Sequence, residues 1–277
     1  MSGFVHLHLH SGYSLLDGAC RINEIAEAAA REGHCAVALT DHGAMYGAVE
    51  FYRACKAAEV KPIIGCEVYV APKSRFDRDP AAKYNHLVLL VENEIGYRNL
   101  CRMVSLSFTE GFYSKPRVDY ELLTEYSEGL IALSGCLGGI VPSMILASDF
   151  DGALREAERL RDIFGKDSFY LELQDHGMPE QKKVNRALLE ISGRSGIPLV
   201  ATNDVHYIRR SDAGAQRVLM AIAMQSTADE VGFGGEEHYF KSEAEMAQLF
   251  SSYGGAIENT VAIAERCSYD FDFSSTY

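Results

Sequence analysis

Seven short, apolar, β-branched runs that alternate with helical patterns constrain this chain more than any other feature. They are residues 4–10, 35–41 (CAVALTD), 62–71 (PIIGCEVYVA), 86–92 (HLVLLVE), 129–134 (GLIALS), 169–174 (FYLELQ) and 198–204 (PLVATND). Amphipathic segments at 22–32, 48–59, 96–109, 151–164 and 180–194 predict helices between them, several closed by a glycine such as Gly33, Gly165 or Gly196. Repeated strand and helix units predict a parallel sheet, and seven in a row fit a closed barrel better than an open one. The expectation is a seven-stranded α/β barrel over residues 1–210. Residues 211–277, with helices near 212–225, 243–250 and 256–267, read as a helical continuation, because no Pro/Ser-rich linker marks an independent domain.

Other features narrow the class. The seven cysteines are scattered and form no CxxC pair, which argues for reduced thiols rather than a disulfide framework or a zinc ribbon. The N-terminus has no basic region followed by an apolar run, and no segment approaches about 18 uninterrupted apolar residues. A soluble, cytoplasmic protein with no membrane association is expected. The formal net charge of -13 is the wrong sign for gripping a nucleic-acid backbone unaided, so bound cations or other protein surfaces must supply any positive field.

The first run, FVHLHLH, carries three imidazoles at alternate positions. In an extended strand Phe4, His6, His8 and His10 share one face, and Val5, Leu7 and Leu9 the other. Barrel enzymes place their chemistry at the carboxyl ends of the strands. The metal-capable residues there are His8, His10 and Asp17, then Asp41 and His42, Glu67, Cys136, and Asp204 with His206. His86 opens its run and fits this rim less well. A lone histidine or carboxylate at a strand end is most often structural, but an HxH, a DxH and a TDH together point to one metal-binding mouth. His6 is expected to be structural, and His34, His176 and His238 to be surface or supporting residues.

The stretches HLHSGYSLLDG, ALTDHGAMYGAVEFY, KPIIGCEVYV, NHLVLLVEN, GLIALSGCLGG and VATNDVHY, in this order, resemble the polymerase and histidinol phosphatase (PHP) domain of bacterial replicative DNA polymerase III alpha subunits. The resemblance runs from about residue 4 to beyond 267. It implies a distorted seven-stranded barrel, the PHP fold, with a site for up to three divalent metal ions. It groups His8, His10, Glu67 and Asp204 around one ion, Glu67, His86 and Cys136 around a second, and Asp17, His42 and His206 around a third. Mixed imidazole, carboxylate and thiolate ligands suit zinc or manganese, with iron also compatible.

Adjacent divalent ions neutralise phosphate charge and acidify water, so the implied reaction is metal-dependent phosphoester hydrolysis. The implied task is 3′-to-5′ proofreading exonuclease action on the 3′ end of a DNA strand. His10 and Asp204 would act at the centre, and Asp41 would orient a ligand or accept a proton. Arg75, Lys115, Arg117 and Arg209, with Arg78 and Arg210 beside them, are candidate phosphate contacts. The implied partners are the remaining polymerase domains and replisome subunits, and the chain is expected to be an excised domain. Two alternatives remain open at this stage. One is a small-molecule phosphatase acting on histidinol phosphate or nucleotides, which a closed, narrow pocket would favour. The other is a metal-stabilised structural module that docks a partner.

Overall fold

The computed structural model describes residues 3–274. In chain order the elements are α1 (Ile22–Arg31), β1 (Ala36–Leu39), α2 (Ala48–Ala57), β2 (Lys61–Val70), β3 (Asn85–Val91), α3 (Glu94–Thr109), β4 (Arg117–Val118), α4 (Tyr120–Glu125), β5 (Leu130–Leu133), α5 (Ile140–Leu146), α6 (Phe150–Phe164), β6 (Phe169–Leu173), α7 (Pro179–Ser195), β7 (Leu199–Ala201), α8 (Ala213–Met224), α9 (Glu243–Leu249) and α10 (Glu258–Arg266). The sheet runs β1-β2-β3-β5-β6-β7, with β4 paired to β2 off that path. Residues 4–10 bridge the two ends of this path: His6 pairs with Val37 of β1, and Leu9 pairs with Val205 just beyond β7. The seven runs read from the sequence are therefore the staves of a barrel, and β4, α4 and α5 are short additions that its periodicity does not reveal. Gly196 ends α7 at φ 73°, a left-handed turn that costs glycine little.

The distortion lies in one stave. β3 is antiparallel to both β2 and β5, whereas β1–β2, β5–β6 and β6–β7 are parallel. The physical reason is the connection: residues 71–84 contain no helix to carry the chain back across the sheet, so the strand returns in the opposite direction. Reversal puts the start of β3 at the same end as the carboxyl ends of β2 and β5, which is why His86 belongs to the mouth.

Alternate residues divide the core into two layers. Val5, Leu7, Ala36, Ala38, Ile63, Val88, Leu90, Ile131, Leu133, Tyr170 and Val200 pack together inside the barrel, and Ile263, Ala264 and Cys267 on and just after α10 close its floor. The intervening residues, such as Val37, Leu39, Ile64, Leu89, Ala132 and Leu171, face the helices. Hydrogen bonds anchor the 256–265 stretch beneath the staves, from the Ala201 amide to the Ala256 carbonyl (2.9 Å) and from the Val5 amide to Thr260 Oγ1 (3.0 Å). Inward parity continues upward through Glu67, His86 and Glu172, so the interior is apolar below and charged at the mouth.

Strict alternation fails at one place that matters. Val5 and Leu7 point inward but Leu9 joins Phe4 in the outer layer, with a bend at His8 between them. The bend separates His6 from His8 and His10. His6 instead packs against Phe240, Phe4 and His34, with ring centroids at 4.2, 4.8 and 5.5 Å, and Nε2 donates to the Lys241 carbonyl at 2.8 Å. His34, expected at the surface or in support, is buried in this cluster.

Burial lowers the His6 pKa to about 3. An unfolded-state value near 6.5 means that His6 stability is complete above pH 6.5 and is lost as pH falls toward 3. At pH 5 the loss is about 2 kcal/mol. Between pH 7.5 and 5 the wild type is therefore expected to lose about that much more stability than His6→Gln in paired chemical denaturation. Parallel losses would show that His6 is not held neutral.

Candidate metal centre

Four ligand-type atoms meet at the centre of the mouth. His8 Nε2 lies 3.1 Å from His10 Nε2, 3.4 Å from Glu67 Oε2 and 3.3 Å from Asp204 Oδ1. His10 Nε2 lies 3.2 Å from Glu67 Oε2 and 3.3 Å from Asp204 Oδ1. The other ring nitrogens fix what these atoms can do. His8 Nδ1 is 2.6 Å from Glu172 Oε1, a carboxylate that only accepts, so Nδ1 carries the proton. Ser14 Oγ donates to Asp41 Oδ1 (2.8 Å) and therefore accepts from His10 Nδ1 (3.0 Å). Both Nε2 lone pairs thus face each other and two carboxylate oxygens, an arrangement of acceptors that repel unless a cation or proton sits between them. Asp204 Oδ1 is buried without a hydrogen-bond partner.

The spacing fits a metal. Two atoms bound tetrahedrally to one zinc at about 2.0 Å stand about 3.3 Å apart; the five contacts here are 3.1–3.4 Å, and His8, His10 and Asp204 lie close enough together to share one ion.

Two further groups adjoin this one through Glu67 and His42. Glu67 turns Oε1 toward His86 Nδ1 (3.0 Å) and Cys136 Sγ (3.9 Å), while its Oε2 faces the central histidines. Asp17 Oδ2 lies 2.9 Å from His42 Nε2 and 3.4 Å from His206 Nε2, and His42 Nδ1 lies 2.8 Å from Glu67 Oε2. His8, His10, Asp17, His42, Glu67, His86, Cys136, Asp204 and His206, scattered over some two hundred residues, are thus brought together in one continuous cluster.

The electrostatics are those of a cation site. Burial opposes charge on His8, but Asp204, Glu172 and Glu67 raise its pKa well above the ordinary value. His42 is likewise raised to about 10 against burial, by Glu67 and Asp17. Burial would neutralise Glu67 and Asp204, yet the surrounding imidazoles hold both well below the usual carboxylate range. Burial and then Glu67 push the Cys136 thiol up.

The supporting layer includes one residue that the sequence reading missed. Glu172, on the inward parity of β6, accepts from His8 Nδ1, Gln174 Nε2 (2.9 Å) and Thr202 Oγ1 on Oε1, and from the Gly135 amide (3.0 Å) on Oε2. The available signal was a single carboxylate in the apolar run FYLELQ. Asp41 is buried and saturated by the Ser11 amide, Ser11 Oγ and Ser14 Oγ at 2.7–2.8 Å. It does not line the cavity, so it orients His10 through Ser14 and is not placed to take a proton from a substrate.

Asp204 adopts φ 45°, an uncommon conformation for a side-chain-bearing residue. Its carbonyl accepts from His206 Nδ1 (2.8 Å) and His238 Nδ1 (3.0 Å), which pin the turn. His238 stacks on His176 with centroids 3.7 Å apart, and both are buried beside the cluster rather than at the surface.

The cluster lies at the base of a cavity of about 620 Å³. The proposed phosphate contacts fare unequally. Arg75 is buried and paired with Glu110, Asp119 and Glu121, and Arg117 is buried with its guanidinium donating to the Gly111, Arg75 and Asp77 carbonyls. Both hold loops together and are not free for a phosphate. Arg78 donates to the Arg75 and Glu110 carbonyls, and Arg210 pairs with Glu237. Arg209 is exposed away from the cavity lining, whereas Lys115 lines it.

Comparison with known proteins gives the following. The family model described as the PHP domain matches residues 6–176. The chain is 48% identical over 271 residues to the DNA polymerase III subunit alpha of Treponema pallidum (strain Nichols), covering 96% of this chain and 23% of that protein. It is 46% identical over 282 residues to the corresponding subunit of Borreliella burgdorferi, covering 100% of this chain and 24% of that protein. The chain therefore spans about a quarter of the length of these curated relatives. Among solved structures, an amidohydrolase from Chromobacterium violaceum aligns with a TM-score of 0.47 and 17% identity, over 73% of this chain and 87% of that chain.

Proposed function

Because this chain belongs to the PHP domain family, we propose that it is a metal-dependent phosphoesterase that shortens the 3′ end of a DNA strand, as the proofreading part of a replicative polymerase alpha subunit. The observation that carries the reading is the central set of lone pairs. His8 and His10 are held in tautomers that aim Nε2 inward, and Glu67 serves this set with one oxygen and the His86–Cys136 pair with the other.

Divalent ions, zinc or manganese by ligand type, supply Lewis acidity toward a phosphate oxygen and acidify water. His8, His10, Glu67 and Asp204 would hold the first, Glu67, His86 and Cys136 the second, and Asp17, His42 and His206 the third. Glu172 and the Ser14–Asp41 pair keep the ligand protons on Nδ1, which also fixes the ring planes. Lys115 at the rim offers a cationic contact to a phosphate entering the cavity.

The test combines elemental analysis with degradation of a 5′-labelled primer. More than one equivalent of transition metal is expected, with stepwise shortening that stops on chelation and resumes on adding zinc or manganese. A metal-loaded, folded chain that leaves the primer intact would refute the nuclease assignment.

A further inference from the structure

Resting on the phosphoesterase reading above, we propose that the aromatic rim of the mouth is a stacking platform for unpaired bases, so that the site takes a single-stranded DNA end by its nucleobases rather than a duplex by its backbone. Tyr46 and Phe108 line the cavity and are 61% and 38% exposed. Their ring centroids are 6.4 Å apart, and Phe108 continues to Phe112, 52% exposed, at 6.3 Å and 22° between planes. This row of exposed rings leads from the mouth across the surface.

Two other rings reach from the rim to the cluster. Phe233 lies 4.6 Å from the His206 ring, and Tyr84 lies nearly parallel to His86 (6.2 Å, 7°). Tyr84 is held edge-on by Tyr69 (4.9 Å), which in turn stacks on His42. Both Phe233 and Tyr84 are partly exposed and line the cavity.

Charge points the same way. A protein that binds duplex DNA does so chiefly through many Lys and Arg contacts to phosphates. Among the described residues, Lys115 is the one lysine or arginine lining this cavity. The whole chain carries -13. Exposed rings bind bases regardless of sequence, because each base has a π-face, and this suits a site meeting any terminal nucleotide. Stacking needs the base unpaired, so the rim itself selects a frayed end.

The test uses the whole chain loaded with zinc and two 5′-fluorescein decathymidylates with phosphorothioate linkages, one bearing tetrahydrofuran abasic residues at its last three positions. Anisotropy is expected to show at least about fivefold tighter binding of the base-bearing strand, the low end of what stacking a single base on an aromatic ring contributes. In Tyr46→Ala/Phe108→Ala, both exposed positions, that ratio should fall severalfold. Equal affinity for the two strands, an unchanged ratio in the variant, or binding of neither strand overturns the proposal. Hydrolysis of bis(4-nitrophenyl) phosphate is scored in parallel. Hydrolysis without base discrimination rejects the rim and keeps the phosphoesterase, whereas base discrimination without hydrolysis of any ester does the reverse.

Discussion

Asp204→Asn is expected to bind at least one fewer equivalent of metal and to lose primer degradation by about a thousandfold or more, in line with the several kcal/mol that a divalent ion contributes to a phosphoryl transition state. The asparagine keeps the shape of the side chain and tolerates the left-handed φ of 45°. Alanine there adds about 1–2 kcal/mol of backbone strain, which would confuse loss of a ligand with loss of structure. The charge is what changes: Asp204 Oδ1 stands 3.3 Å from both central Nε2 atoms. His10→Ala is expected to match it from the opposite side of the set. Both are checked by metal content, circular dichroism and end-labelled primer assays on one preparation. Wild-type degradation rates in either variant would assign the activity to a contaminant.

Glu172→Gln is expected to weaken zinc affinity about 10- to 100-fold, the usual cost of removing a partner that orients a ligand, although Glu172 contacts no candidate ligand except His8. An amide nitrogen must face either the Gly135 amide or the His8, Gln174 and Thr202 donors, and in both orientations donor meets donor. With the amide nitrogen toward His8, the clash there is relieved by moving the His8 proton from Nδ1 to Nε2, where it blocks the central lone pair. A stability loss of about 1–3 kcal/mol should accompany the change, from the unsatisfied buried donor. Titration against a competing chelator and thermal melts without metal separate the two effects. An unchanged zinc affinity would mean that His8 does not depend on Glu172 for its tautomer.

The sequence and the fold agree most closely where a signal is local. Helix predictions such as 180–194, observed as Pro179–Ser195, hold because apolar spacing, an early proline and a C-terminal glycine all act within one segment. Fates set by distant neighbours were not legible. Arg75 looks like any loop cation until α3 and the start of α4 bring Glu110 and Asp119 to it. Glu172 is one carboxylate in an apolar strand until residue 8 arrives beneath it. His6 is set apart from His8 by its depth along the run, but that the two point to opposite sides of the stave follows only from the bend at His8.

Residue pattern alone determined the number of staves, their order along the chain and the supply of imidazole, carboxylate and thiol groups at their ends. Tertiary structure decided the direction of β3, and with it the entry of His86 into the mouth. It also decided which nitrogen of each central histidine is free and which basic residues are left for a substrate. The first set depends on periodicities that a strand or helix imposes on its own residues. The second depends on hydrogen bonds and ion pairs between groups tens to hundreds of residues apart, which exist only once the barrel closes.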